Sequence, residues 1–257
     1  MKILKRISTL LAFLTLILFL ILLQKNTYKY PNNIGSDSYL NLEEIRLREY
    51  KLVYDKVKPY IVYANVMIDD TLYLAEVIED KQNGTTYCVK VNENIYWLDS
   101  KDVTILDNKQ EEYEALNDNE IELYINFNKL DSITNYFIWV DIYRNETYVL
   151  EKINAEFKII KRLSCSTGSI YTPTKRGMFE ISYKGEEFIG RDKTYKCYYY
   201  MQYSGSYLLH SFPYLLNDEV KDDRLDARVS NGCVRHSLED SKYLYDLIPI
   251  GTTIWLN

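Results

Sequence analysis

From Tyr60 onward the chain is written in short apolar runs, each closed by a turn signal, and such a pattern admits little besides a β-rich fold. Tyr60-Met67 and Thr71-Glu79 are divided by Asp69-Asp70; Asn83-Gly84 precedes Thr86-Val91, and another run lies around Val103-Leu106. Phe137-Ile142 and Thr147-Leu150 then flank Arg144-Asn145-Glu146, which reads as a hairpin turn. Phe157-Ser164, Met178-Ile181, Tyr195-Tyr203 and Tyr207-His210 continue the pattern, and Thr252-Leu256 closes it. One interruption is helical. Ser237-Leu238-Glu239-Asp240 is a capping-box signature for a short helix to about Leu247, stopped by Pro249.

The first third of the chain is written differently. Behind Lys2, Lys5 and Arg6, the run Ile7 to Leu23 carries no charge. At about 1.5 Å rise per residue its length is roughly 25 Å, enough to span a bilayer core. No small-residue cleavage site follows it, so it reads as an uncleaved signal anchor with the basic end in the cytoplasm. Tyr28 to Ser38 is a linker, and Leu40 to Val57 an amphipathic helix ended by Pro59. Asp107 to Asn119 reads as a solvated boundary helix or linker. The expected divisions are 1–26 (anchor), 27–58 (linker and helix), 59–107 (small β module), 108–135 (connection) and 136–257 (C-terminal domain).

Composition narrows the partners. A net charge of −6 argues against a nucleic-acid partner, which would call for a basic stripe. No Cys-x-x-Cys or His-rich cluster suggests a metal site, and no cofactor motif is present. The cysteines Cys88, Cys165, Cys197 and Cys233 are not spaced as a disulfide framework. Cys165 sits in an apolar-alternating run and reads as a packed strand residue.

Chemistry concentrates in Ser230-Asn231-Gly232-Cys233-Val234-Arg235-His236. A cysteine directly after a glycine, at what reads as a strand-to-helix turn, suits a nucleophile, because glycine leaves room for an incoming carbonyl. The amides of Gly232 and Cys233 are placed to share an oxyanion. The chain has two histidines to serve as base, His210 and His236. His210 ends the apolar strand Tyr207-Leu208-Leu209, and as the base it would draw the thiol pKa below its reference value of about 8.5. His236 precedes the Ser237 cap and is expected at the surface. Arg235 suits either a substrate carboxylate or an ion pair with Asp226 or Glu239. Asn217 to Arg228 reads as a lid or as an ordinary solvated loop.

These residues resemble the L,D-transpeptidases with a YkuD-type catalytic domain. His210-Ser211, Ser230-Asn231-Gly232-Cys233-Val234-Arg235, Ser166-Thr167-Gly168 and Thr172-Pro173-Thr174-Lys175-Arg176-Gly177-Met178-Phe179 match the family's landmarks in order, over Tyr136 to Asn257. Asn231 stands where the family usually has a second His, and the connection 211–229 is longer than usual. The resemblance implies a mostly β catalytic fold with Cys233 as nucleophile and His210 as base. It also implies that the backbone carbonyl of Ser211 orients the imidazole, and that Ser230, Asn231 and Arg235 line the substrate. Tyr96 to Val103 likewise resembles the closing stretch of a bacterial SH3-like module, a spacer or a ligand-binding unit. The function implied is 3→3 cross-linking of peptidoglycan stem peptides, without metal or cofactor. The protein would be a single-pass membrane protein with its catalytic domain facing the cell wall. An L,D-carboxypeptidase with water as acceptor, and a catalytically weak wall-binding protein, remain as alternatives.

Overall fold

Tyr136-Phe137-Ile138-Trp139-Val140-Asp141 is apolar on both faces, as a strand covered from both sides must be. A computed structural model, describing residues 42–81, 84–106 and 114–257, places it at the middle of the C-terminal domain. In sequence order the described elements begin with helix α1 (Leu42–Lys56). Strands β1 (Val62–Ile68), β2 (Thr71–Lys81), β3 (Thr86–Val91), β4 (Asn94–Asp99) and β5 (Val103–Ile105) follow. After helix α2 (Asp118–Phe127) come β6 (Tyr136–Asp141), β7 (Glu146–Ile153), β8 (Glu156–Ser164), β9 (Thr167–Gly168) and β10 (Gly177–Glu180). Then come β11 (Tyr183–Ile189), β12 (Tyr195–Ser204), β13 (Tyr207–Ser211), β14 (Tyr214–Leu215), β15 (Arg228–Ser230) and β16 (Val234–His236). Helix α3 (Leu238–Leu247) and β17 (Thr253–Leu256) complete the set. The anchor read at Ile7–Leu23 lies outside the described residues, among which no helix is long and apolar enough to cross a membrane.

Two sheets carry the C-terminal half. One has the order β10-β17-β6-β7-β8, and the other β11-β12-β13-β16 with β14 on the side of β12. Alternation along β6 divides two cores. Ile138 and Val140 join Met201, Leu209 and Val234 in the core shared with the second sheet. Phe137 and Trp139 face the other way, into a cluster with Val53 and Val57 beside α1 and Ile121 and Ile125 of α2. Trp139 and Tyr148 are wholly buried there. Burying a large apolar side chain contributes about 1.5–3 kcal/mol, so this aromatic layer is a principal source of stability.

Helix α2 begins at the end of the segment read as a solvated boundary helix or linker, and it packs into this cluster through Ile121 and Ile125. Its start is fixed by a capping box: Asn117 Oδ1 accepts from the Glu120 amide at 3.0 Å, and Glu120 Oε2 accepts from the Asn117 amide at 2.8 Å. Helix α1 stacks on it through Tyr50 and Phe127, 3.9 Å between ring centroids. A buried ion pair, Arg144 Nη1 to Asp141 Oδ2 at 2.7 Å, fixes the β6–β7 turn. The same guanidinium donates to the carbonyl oxygens of Lys56 and Glu114. Residues 62–105 form a fully antiparallel sheet, β4-β3-β2-β1-β5, whose apolar side merges with the larger core.

Candidate active site

Two short parallel ladders assemble the site. Strand β13 pairs with β16, setting Leu209 opposite Val234, His210 opposite Arg235 and Ser211 opposite His236. Strand β15 pairs with β9. Residues 231–233 thus turn the chain from strand β15 to strand β16, and not from a strand to a helix as the sequence suggested; α3 starts five residues later, at Leu238.

The turn is held by hydroxyls. Ser230 Oγ donates to the Cys233 carbonyl at 2.5 Å and accepts from the Gly232 amide at 3.1 Å. Thr172 Oγ1 donates to the Ser230 carbonyl at 2.9 Å, and Thr174 Oγ1 donates to the Gly232 carbonyl at 2.9 Å. Gly168 returns its amide to Thr174 Oγ1 at 2.7 Å. Two glycines are required by this packing. Gly232 has φ +98°, and a Cβ there would lie 2.7 Å from the Tyr207 ring. A Cβ on Gly168 would lie 2.2 Å from the Thr172 carbonyl.

These bonds correct two expectations. The Gly232 amide is occupied by Ser230 Oγ and does not face a shared oxyanion pocket with Cys233. Ser230 is buried and spends its hydroxyl inside the turn, so it does not line the substrate. Asn231 is exposed at the tip.

Cys233 is half-buried, and its Sγ donates to the Ser206 carbonyl at 3.7 Å. Burial pushes its thiol above the usual value, only partly offset by the Leu208 backbone and the Arg235 charge. This direction is opposite to the depressed thiol pKa expected from the sequence. No hydrogen bond joins Sγ to an imidazole among the described residues. His210 is held elsewhere: Nδ1–H donates to the Ser211 carbonyl at 2.6 Å, and Phe188 of β11 meets the ring edge-on at 5.3 Å between centroids. This bond leaves Nε2 as the lone pair. Burial holds the His210 pKa down to about 3, with Arg235 and His236 adding to the effect, so the ring is neutral.

The Ser211 side chain has separate work, accepting from the Tyr198 amide at 2.8 Å and donating to the Phe212 carbonyl at 2.8 Å. His236 is not at the surface. It is fully buried, because β16 enters the sheet there, and its Nε2 lies 2.9 Å from Thr147 Oγ1. Burial lowers its pKa to about 3. Arg235 forms its ion pair with Asp222, at 3.1 Å, and not with Asp226 or Glu239. That pair anchors the 217–228 segment, and Asp222, held mainly by Arg224, has its pKa lowered to about 2. Cys165 is fully buried with its thiol pushed far up, while Cys197 is buried with its pKa raised to about 12; neither suits a nucleophile. Tyr203 and Phe188 escaped the sequence reading. The Tyr203 hydroxyl is buried near the thiol with no hydrogen-bond partner among the described residues.

Residues 135–256 match the family model described as YkuD, L,D-transpeptidase catalytic domain. This domain belongs to the YkuD family. The chain is also 27% identical over 128 residues to YciB of Bacillus subtilis (strain 168), by its name a candidate L,D-transpeptidase; the match covers 46% of this chain and 64% of that one. A crystal structure of a fused Zn-dependent amidase/peptidase/peptidoglycan-binding domain-containing protein from Clostridium acetobutylicum ATCC 824 is 34% identical, covering 55% of this chain and 59% of that one, with a TM-score of 0.47. An L,D-transpeptidase from Stackebrandtia nassauensis is 20% identical, covering 51% and 60%, with a TM-score of 0.40. The chain thus spans less than two thirds of the length of each of these relatives. Within the YkuD domain, the Ser166-Thr167-Gly168 and Thr172–Phe179 landmarks become the strand and the loop that grip the Cys233 turn.

Proposed function

We propose that this protein is a peptidoglycan L,D-transpeptidase that works through a Cys233 thioester with His210 as the base. The observation that carries the reading is the tether of His210 Nδ1 to the Ser211 carbonyl, which leaves Nε2 with the free lone pair a base needs, on the sheet that also presents a half-buried Cys233. In the first step the thiol proton passes to Nε2 as Sγ attacks the carbonyl of the third residue of a tetrapeptide stem. The terminal D-alanine leaves as its amine, taking that proton. The side-chain amine of a third residue on a second stem then attacks the thioester, giving up a proton to His210 and restoring the thiol. The product is a 3→3 cross-link. We place the enzyme at the membrane through Ile7–Leu23, its catalytic domain toward the wall, with residues 59–107 as an SH3-like module. Arg235, already committed to Asp222, supports the loop over the site and not a substrate carboxylate.

The test is incubation of the full chain with tetrapeptide stems followed by mass spectrometry. A cross-linked dimer with release of D-alanine is expected. Free tripeptide would make water the acceptor and the protein a carboxypeptidase, and absence of both products would leave the wall-binding reading.

A further inference from the structure

The β module lies against the loop that holds the nucleophile turn. Lys175 follows directly on Thr174, whose hydroxyl holds the Gly232 carbonyl, and its Nζ is 3.0 Å from Glu79 Oε2 of β2. Both side chains are partly buried, which sets this pair apart from a fully exposed ion pair of negligible worth. Arg176, next along, pairs with Glu76 of the same strand. Earlier in the loop, the Tyr87 hydroxyl of β3 donates to the Tyr171 carbonyl at 3.0 Å. A second arm runs beside the first. Tyr207 shares a buried cluster with Tyr87 and Val89 of the β module, while its ring packs on Gly232 where a Cβ would otherwise stand. Both arms end on Gly232, the residue before the nucleophile.

We propose that the β module is a positioning part of the catalytic centre, with Glu79 and Lys175 as positioning residues that fix the Gly232–Cys233 turn through Thr174. The inference rests on the reading of Cys233 as nucleophile. Its physical basis is the steep dependence of a bimolecular attack on geometry, where a shift of about 1 Å at the reacting atom costs on the order of a hundredfold. A module that served only as a spacer would need no charged, partly buried contact with this particular loop.

The test is a double-mutant cycle in the full chain: Glu79→Lys, Lys175→Glu and the two together. Three quantities are read, namely the rate of Cys233 alkylation by iodoacetamide, kcat and KM on a tetrapeptide stem, and the melting temperature. Each single variant is expected to lower alkylation and kcat about tenfold, with KM within about twofold of wild type, the size that contacting pairs reach. The charge-swapped double variant should recover both to within about threefold. Thr174→Val cuts the relay without touching either charge and should lower alkylation likewise, whereas Thr174→Ser, which keeps the hydroxyl, should not. Wild-type alkylation in Thr174→Val, or singles that move only the melting temperature, would overturn the proposal. The two readings fail separately. Alkylation that follows the cycle in a protein that turns over no stem peptide leaves the positioning role standing without the transpeptidase; stem turnover that ignores the cycle does the reverse.

Discussion

At His210 the tether to Ser211 and the neutral ring together fix what titration should show. Removing a neutral imidazole removes no charge, so the alkylation midpoint of Cys233 should lie above the ordinary thiol value in wild type and stay there in His210→Ala. Turnover in the same variant should fall about 10²–10⁴-fold, the range for a positioned acid–base group. A wild-type midpoint near pH 6 would instead reveal a thiolate–imidazolium pair, which neither the raised Cys233 thiol nor the depressed His210 pKa supports. Cys233→Ala should abolish turnover; in tandem mass spectra the iodoacetamide label should map to Cys233 and not to buried Cys165. The tether of His210 to the Ser211 carbonyl came from the family resemblance, since no local pattern displays a backbone acceptor. His236 and Arg235 were misread because their surroundings come from afar. Thr147 reaches His236 from β7, and Asp222 reaches Arg235 from a loop whose course no local pattern reveals.

Among the elements, the nucleophile turn is the least tolerant. Gly232→Ala forces a side chain into left-handed backbone and onto the Tyr207 ring, which should cost about 1–3 kcal/mol in a denaturant titration and slow Cys233 alkylation more than tenfold. The strands with alternating apolar residues were read close to their observed bounds. Strand β11 was not, for a physical reason: as an edge strand it exposes most of Tyr183-Lys184-Gly185-Glu186-Glu187, and its polarity hides it until β12 supplies the partner. Helix α2 was read only as a boundary helix or linker, because its acidic first turn looks like solvated chain; the Asn117/Glu120 capping box that starts it is seen in the structure. Replacing Asn117 by Ala should cost about 1 kcal/mol in the same titration.

On the scale of the whole molecule, the two buried imidazoles make folding sensitive to acid. Both stay neutral in the folded state down to about pH 3, whereas in an unfolded chain a histidine takes up its proton near 6.5. The unfolded state therefore binds more protons between those values. Stability is full above about pH 6.5 and drains away as the pH falls toward 3. Urea midpoints measured from pH 7 to 4 should decline, and His236→Asn should flatten the slope by up to about 1.4 kcal/mol per pH unit, one proton's worth. There is a further consequence, in time and not in energy, in the placement of β17. This strand comes last in the sequence yet lies between β10 and β6, bonded in register to Phe137–Val140. A growing chain emerges with β6 and β10 already made and the gap between them open, its Ile138 and Val140 still waiting for Ile254 and Leu256. The thiol is thus synthesised before the strand that closes this sheet. A polypeptide halted at Ile250 should remain soluble only with chaperone help, and its Cys233 should be alkylated at the rate of a free peptide thiol.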